Sequence, residues 1–478
     1  MSEKSLRAKT KNGLLWSSVE RFSTQGISFL FSLFLARLLM PKDYGLIAML
    51  TIFISVTSAF IDSGFSNALI QKQDRTDKDF STAFYFNIAV GVIAYLVLWL
   101  ISPLIAVFYN MPILAPLTKV LGLTVIFSSL CVVQQAHLMI KIDFKAQAKI
   151  SMLSTIISGI VGIVFAFYGY GVWALVALNI SAGLCRMIFL FMWVRWIPKR
   201  TFSVESFKHL FSFGSKLLAS GLLSTIYENL YPLIIGKFYS AANLGLFSRA
   251  QSLAAMPSSN ISNVFQRVTF PVLSSIQNED ERLSINYRRL LRMGAFIIFP
   301  LMMLLVAISS PLVNILLTAK WSGCVIYLKI LCFAMMWYPV HAINLDLLQV
   351  KGRTDLFLRL EIIKKVVGVV ILLITLNINL IAMSIGMVVS SMIALLINTH
   401  YTGKLIHVGF GIQMKDLAPI LINSLVMCGI SYSVTLCFET NILKLVFGIL
   451  SAFMVYFTIA FVSHSEELKY GLELIRKK

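Results

Sequence analysis

The chain has 478 residues, of which 58% are apolar and 13% are charged, and its mean hydropathy is +0.83. Soluble globular proteins are about 45–50% apolar and about 25% charged, so this composition excludes a soluble globular fold. In a soluble chain the net charge of +20 would favour a nucleic-acid partner. Most of the cations lie in short segments between apolar runs, so we expect them to orient the chain in a membrane and expect no nucleic-acid partner.

Apolar runs bounded by charged residues, proline or glycine predict fourteen membrane-spanning helices. The first run is too long for the core of a signal peptide, so we expect it to be retained. The sequence therefore predicts an all-α polytopic membrane protein. The fourteen predicted helices cover residues 13–39, 46–69, 80–108, 115–139, 150–168, 171–194, 210–238, 243–275, 293–318, 325–349, 359–376, 380–402, 417–437 and 442–462.

The cations are distributed unequally between alternate loops. With fourteen helices, 29 of the 41 Lys and Arg residues fall on one side of the membrane, four on the other, and eight within helices. Cytoplasmic loops carry the excess of positive charge, so both termini are expected in the cytoplasm.

Short matches between the two halves indicate an internal repeat. At an offset of 200 residues, Arg37 aligns with Lys237 and Gly45 with Gly245, and at an offset of 208 the Ser-Pro-Leu of 102–104 aligns with that of 310–312. The order of the matches predicts two pseudo-symmetric six-helix bundles, 1–200 and 201–405, and a further helix pair within 406–478. Parallel repeats of this kind in transporters bind substrate between the halves.

Polar residues recur at helical spacing on four predicted helices: the first, second, seventh and eighth. A charge at the bilayer centre costs about 2.5–3.5 kcal/mol, so such residues are expected to face protein or a water-filled cavity. We predict a cationic cavity lined by these helices; small hydroxyl residues that only allow close helix packing are the alternative. The cavity set comprises Arg21, Lys216, Arg249 and Arg267, together with stripes that include Thr24, Ser55, Ser58, Ser220 and Asn260.

Four further ionisable residues have two interpretations each. Arg37 lies near a helix end, where it either contacts substrate or extends to the membrane interface. Glu20, Asp62 and Glu228 either neutralise nearby cations or couple transport to protons or sodium.

Sequence signals for catalysis and cofactors are missing. The chain has no G-x-x-x-x-G-K-[ST] motif, no H-E-x-x-H motif and no C-x-x-C pair. We therefore expect no catalytic residues, no metal and no cofactor, and we do not expect ATP to drive the protein directly.

The segment Ala36-Arg37-Leu38-Leu39-Met40-Pro41-Lys42-Asp43-Tyr44-Gly45-Leu46 resembles the Wzx-type polysaccharide flippases. These form the polysaccharide transporter branch of the superfamily that also contains multidrug-extrusion proteins and lipid II flippases. Asn243-Leu244-Gly245-Leu246-Phe247-Ser248-Arg249-Ala250 and Phe270-Pro271-Val272-Leu273-Ser274 strengthen the resemblance. By motif position it assigns Arg37 and Arg249 to the cavity, and Pro41, Asp43, Gly45 and Pro271 to a structural motif.

The resemblance implies export of an undecaprenyl-diphosphate-linked oligosaccharide from the cytoplasmic to the periplasmic leaflet of the bacterial inner membrane. Alternating access of the two lobes would serve the assembly of lipopolysaccharide O-antigen, capsule or exopolysaccharide. A polysaccharide polymerase and a chain-length regulator are the expected protein partners, alongside membrane lipids. Proton or sodium coupling, or the membrane potential, would supply the energy.

Two alternatives are open at this point. A multidrug antiporter of the same architecture would prefer acidic cavity residues for cationic substrates, which Arg21, Lys216, Arg249 and Arg267 oppose. A membrane polysaccharide polymerase or ligase would be expected to have a sizeable extracytoplasmic loop, whereas the predicted loops on that side are mostly under ten residues.

Overall fold

A computed structural model describes residues 3–61 and 64–469, and it describes the side chains in these ranges except those of residues 3–15, 18, 213, 216 and 217. The described ranges contain nineteen α-helices and one 3-10 turn, with no β-strand. The predicted all-α fold is confirmed. Asp62 and the side chain of Lys216 lie outside the described set.

The contacts divide the chain into two compact units, Met1–Gly245 and Leu246–Lys478. The predicted bundles 1–200 and 201–405 and the terminal segment 406–478 stay a prediction. The helices of the first unit are α1 (Glu3–Leu38), α2 (Pro41–Ile61), α3 (Phe65–Gln71), α4 (Asp77–Tyr109), α5 (Leu114–Leu121), α6 (Leu123–Ile140), α7 (Phe144–Phe167), α8 (Val172–Val194), α9 (Val204–Glu228) and α10 (Leu230–Phe238).

The helix α11 (Ala241–Ser275) begins in the first unit and continues into the second across Pro257 and Pro271. The second unit also contains the 3-10 turn Ala319–Trp321. Its remaining helices are α12 (Asp280–Ala307), α13 (Ser309–Leu316), α14 (Cys324–Met335), α15 (Tyr338–Val350), α16 (Thr354–Leu376), α17 (Leu380–Ile406), α18 (Phe410–Leu436) and α19 (Asn441–Val462).

Each predicted segment overlaps one helix or two consecutive helices. In the second segment, for example, Gly64 precedes the start of α3, and its φ of 77° lies in the left-handed region that glycine adopts readily. Within the described ranges, ten helices or helix pairs are long and apolar enough to cross a membrane. Four of the fourteen predicted segments do not reach that length and hydropathy, and they correspond to α1, to α9 with α10, to α11 and to α16. The first three of these four carry predicted polar stripes. The count of fourteen spans stays a prediction.

The helix α12 begins thirteen residues before its predicted start at 293. Arg288, which falls between the predicted segments 243–275 and 293–318, lies on this helix and forms two hydrogen bonds with Asp416 of α18, both at 2.6 Å. Arg292 pairs with Glu466 at 2.8 Å. These ion pairs lie on the part of α12 that precedes its apolar run, and the paired geometry of Arg288 and Asp416 is the strong form of such a contact.

A buried polar cluster also joins α18 to α15 and α17 of the same unit. The amide nitrogen of Gln413 donates to Asn344 Oδ1 at 3.1 Å and to Thr402 Oγ1 at 3.0 Å, and its oxygen accepts from Asn344 Nδ2 at 3.1 Å. Because the members of this cluster satisfy one another, the cluster stabilises the position of α18.

The first turns of α2 and α11 cross with their backbones in direct contact. A Cβ added to Gly45 would lie 1.7 Å from the carbonyl oxygen of Ala241, and one added to Gly245 would lie 1.9 Å from that of Pro41. The two contacts are equivalent under the 200-residue offset, which aligns Pro41 with Ala241 and Gly45 with Gly245. Asp43 Oδ2 accepts a hydrogen bond from the Met40 N–H at 2.9 Å and so caps the start of α2.

We expect Gly45→Ala to lower the thermal unfolding midpoint of the detergent-solubilised protein, because the new methyl group meets backbone that has no room to move. Overpacking of this kind costs roughly 1–3 kcal/mol or more. Gly26→Ala is the matched control, since a Cβ there has no neighbour within 4 Å and alanine favours helix. Equal midpoints for the two variants would contradict the close crossing.

Candidate functional site

A polar pocket of about 480 Å³ lies within the first unit and is lined by residues of α1, α2, α6, α7 and α8. Its volume falls in the range of roughly 300–1,000 Å³ found for small-molecule sites. Seven neutral polar side chains and one arginine line it: Thr24, Ser58, Ser128, Gln135, Ser151, Ser154, Thr155 and Arg186.

The helix α7 supplies three of the hydroxyl groups. Ser151, Ser154 and Thr155 are spaced by three and four residues, which places them on one helical face. The hydroxyl of Thr155 donates to the Ser151 carbonyl at 2.8 Å, and the hydroxyl of Ser151 donates to Glu20 Oε1 at 2.8 Å. The α7 wall of the pocket is therefore rich in small polar groups of defined orientation.

Arg186 of α8 and Gln135 of α6 meet at the pocket. The Gln135 amide is oriented with its oxygen toward the guanidinium, because this orientation satisfies both side chains. Its oxygen then accepts one hydrogen bond from Arg186 Nε at 3.0 Å and a second from Nη2. Arg186 lies eight residues before the end of α8, or ~12 Å along the helix axis. Among the described residues that line the pocket, Arg186 alone carries a charge.

A second polar cleft, of about 510 Å³, lies between α2, α3 and α9. Ser58 lines both cavities, so the two adjoin. The polar side chains of the cleft come from all three helices and from the residue after α9: Ser55, Ser58, Asn67, Thr225, Glu228 and Asn229.

The predicted residues of the first helix and of α9 are placed as follows. Thr24 lines the pocket, whereas Arg21 is exposed and Arg37 is exposed in the last turn of α1. Glu20 is half-buried and accepts from the Ser151 hydroxyl. Glu228 is exposed and lines the cleft. The structure thus brings Thr24 to the pocket and Glu228 to the cleft that adjoins it.

Arg249 lies on α11 in the second unit. Its residue is only 8% exposed, and its guanidinium carbon lies 5.9 Å from the centroid of the Trp321 ring, a cation–π arrangement. Arg267, further along α11, is exposed. The contribution of Arg21, Arg37, Lys216, Arg249 and Arg267 to a cavity formed by both halves stays a prediction.

The sequence interpretation missed Arg186 and Gln135 as site residues. They lie on different helices, and only the fold brings them together. A detectable signal was present on the predicted fifth helix, where Ser151, Ser154, Thr155 and Ser158 form a hydroxyl stripe at helical spacing.

Known proteins resemble this chain over most of its length. The model of the family described as "Polysaccharide biosynthesis protein" matches residues 34–326. The lipopolysaccharide biosynthesis protein WzxC of Escherichia coli (strain K12) is 25% identical over 365 residues, which is 75% of this chain and 74% of WzxC. The teichuronic acid biosynthesis protein TuaB of Bacillus subtilis (strain 168) is 28% identical over 304 residues, 62% of each chain.

The fold also has a solved counterpart. The structure of the lipid II flippase MurJ, in an inward closed conformation, superimposes with a TM-score of 0.77 and covers 95% of this chain and 100% of its own, at 16% identity. That likeness confirms the polytopic helical fold, and the family match, which spans more than half of the chain, confirms the resemblance drawn from the motif around Gly45. This multi-pass membrane protein belongs to the polysaccharide biosynthesis protein family.

Proposed function

We propose that this protein is a flippase that exports an undecaprenyl-diphosphate-linked oligosaccharide from the cytoplasmic to the periplasmic leaflet of the bacterial inner membrane. The observation that carries the proposal is the hydroxyl-rich pocket lined by five helices in a member of a polysaccharide biosynthesis family. Relatives named for lipopolysaccharide and teichuronic acid biosynthesis support it, as does the fold shared with a lipid II flippase.

The chemistry of the two cavities suits a glycan. Sugar hydroxyls both donate and accept hydrogen bonds, and serine, threonine, asparagine and glutamine side chains can do the same. The apolar polyprenyl tail can stay in the lipid while the sugars occupy the polar space. The sugar hydroxyls then cross the membrane without entering the hydrocarbon, where they would have no hydrogen-bond partners.

The diphosphate needs cations that replace its hydration. Arginine presents a planar fork that matches phosphate oxygens. Arg21, Arg37, Lys216, Arg249 and Arg267 are the proposed contacts, used in turn as alternating access exposes them to each side of the membrane. Glu20, Asp62 and Glu228 are the proposed positions for proton or sodium coupling or for charge pairing.

The alternatives fit less well. A multidrug antiporter for cationic substrates is disfavoured by Arg186, since the pocket wall presents a positive charge. A polymerase or ligase is disfavoured because a solved protein of the same fold, MurJ, is a lipid II flippase. Transport of a lipid-linked glycan accounts for both the fold and the family.

The proposal includes orientation and partners. Both termini lie in the cytoplasm, as the excess of loop cations on one side indicates. The exported glycan passes to a polysaccharide polymerase working with a chain-length regulator, in the assembly of O-antigen, capsule or exopolysaccharide.

We expect deletion of the gene to abolish surface polysaccharide and to leave the lipid-linked oligosaccharide in the cytoplasmic leaflet. Spheroplasts treated with an impermeant glycan-oxidising enzyme report which leaflet holds it. Restoration by the plasmid-borne gene is the control. If the deletion strain carried the lipid-linked oligosaccharide in the periplasmic leaflet, the proposed function would be wrong.

We propose that the membrane potential contributes to the driving force. Moving negative charge outward follows an inside-negative potential, which is worth about 2.3 kcal/mol per charge per 100 mV when the full field is crossed. We expect valinomycin with balanced potassium to slow flipping in proteoliposomes that otherwise hold an imposed potential. An unchanged initial rate after collapse of the potential would exclude this contribution.

Arg249→Ala tests the proposed contact to the diphosphate. Removing the guanidinium should reduce glycan export substantially, by about tenfold for the loss of a charge-assisted hydrogen bond. Arg282→Ala, which removes an exposed arginine paired with Glu279 at 3.2 Å, is the matched control. Normal export by a stably folded Arg249→Ala protein would remove Arg249 from the substrate path.

A further inference from the structure

The charge of Arg186 is incompletely compensated by the protein. Its described hydrogen bonds run to the neutral amide of Gln135. In the described part of the chain no carboxylate forms an ion pair with it. A charged group at membrane depth is costly unless it is paired or solvated, so this pocket is prepared for an anion or for water.

Three N–H groups of the Arg186 guanidinium remain after its hydrogen bonds to Gln135 are counted. Of its five N–H groups, Gln135 accepts from one on Nε and one on Nη2, which leaves three. Gln135 also restrains the plane of the guanidinium, since it bonds two of the nitrogens. A planar carboxylate can therefore approach a cation whose orientation is already fixed, which lowers the entropic cost of binding.

The neutral lining supplies partners for the remainder of a sugar ring. Ser128, Ser151, Ser154 and Thr155 line the same pocket as Arg186, together with the aromatic ring of Phe127. Hydroxyl groups can hydrogen-bond sugar hydroxyls, while an aromatic ring can cover an apolar face. The pocket thus combines one cation with several neutral polar groups.

The charge count distinguishes a sugar carboxylate from the lipid diphosphate. A single described cation lines the pocket, which matches the single negative charge of a uronic-acid carboxylate. A diphosphate carries more negative charge and would call for several cations, as in the wider set proposed above.

We infer that this pocket binds an acidic sugar of the transported glycan, with Arg186 pairing with the sugar carboxylate and Gln135 positioning the guanidinium. The inference rests on the proposed function and adds the substrate class: a lipid-linked oligosaccharide that contains a uronic acid. Arg186 is then a specificity-determining residue of the flippase.

Two synthetic polyprenyl-diphosphate trisaccharides test the inference. They are identical except that one sugar is glucuronic acid in the first and glucose in the second, so only a carboxylate is exchanged for a hydroxymethyl group. Flipping of each by wild-type protein and variants is measured in proteoliposomes at the same potential. The readout is the ratio of the acidic-glycan rate to the neutral-glycan rate.

Wild-type protein should prefer the acidic glycan, and Arg186→Gln should lower the ratio by about tenfold or more, the effect expected for loss of a charge-assisted hydrogen bond. Arg186→Lys keeps the charge but loses the fork, so its ratio should be intermediate. Arg195→Gln is the matched control, because Arg195 follows the end of the same helix; its ratio should equal the wild-type ratio.

Three outcomes would overturn the inference. The first is an equal rate for both glycans in the wild type, and the second is a parallel fall of both rates in Arg186→Gln that leaves the ratio unchanged, as expected if Arg186 served the diphosphate. Either would leave the proposed function intact. If wild-type protein flipped neither glycan, the proposed function would fail, and calorimetry with the free acidic trisaccharide would then test the pocket by itself. Binding that Arg186→Gln abolishes would support the pocket. Absence of binding to the wild-type protein, the third outcome, would overturn the inference.

Discussion

Polar groups inside a bilayer have no bulk water, so every charge and hydroxyl at membrane depth needs a partner from the protein, a hydrated cavity or a ligand. The two units meet this constraint differently. In the second unit, Gln413, Asn344 and Thr402 satisfy one another in a closed, buried cluster. In the first unit, Arg186 and the hydroxyls of α7 surround an open volume. The polar groups of the second-unit cluster hydrogen-bond one another across a helix contact, whereas those of the first unit line a cavity.

The glycine crossing connects the family motif to this site. Gly45 and Gly245 allow the first turns of α2 and α11 to touch, and Asp43 caps α2 at the same point. From there α2 continues to Ser55 and Ser58, which line the cleft and, in the case of Ser58, the pocket as well. The motif that resembles polysaccharide flippases thus lies at the start of a helix that contributes to the polar wall, and its glycine does not line that wall.

Much of the fold follows from periodicity and hydropathy because a membrane helix satisfies its own backbone and has to present apolar side chains to lipid. Local sequence fails where distant residues decide. Arg288 of α12 pairs with Asp416, a partner 128 residues away, and Gln135 meets Arg186 from another helix. The helical spacing of polar residues predicts Thr24 and Ser58 because that spacing is local, but the spacing does not reveal which cation shares their pocket.

The most direct test of the account is flipping by the purified protein in proteoliposomes. An undecaprenyl-diphosphate oligosaccharide is placed in the inner leaflet, and its arrival in the outer leaflet is read by an impermeant glycan-modifying enzyme. The account predicts protein-dependent arrival well above the rate in protein-free vesicles. No flipping of several glycans, together with efflux of a cationic dye by the same vesicles, would contradict it and favour the multidrug antiporter.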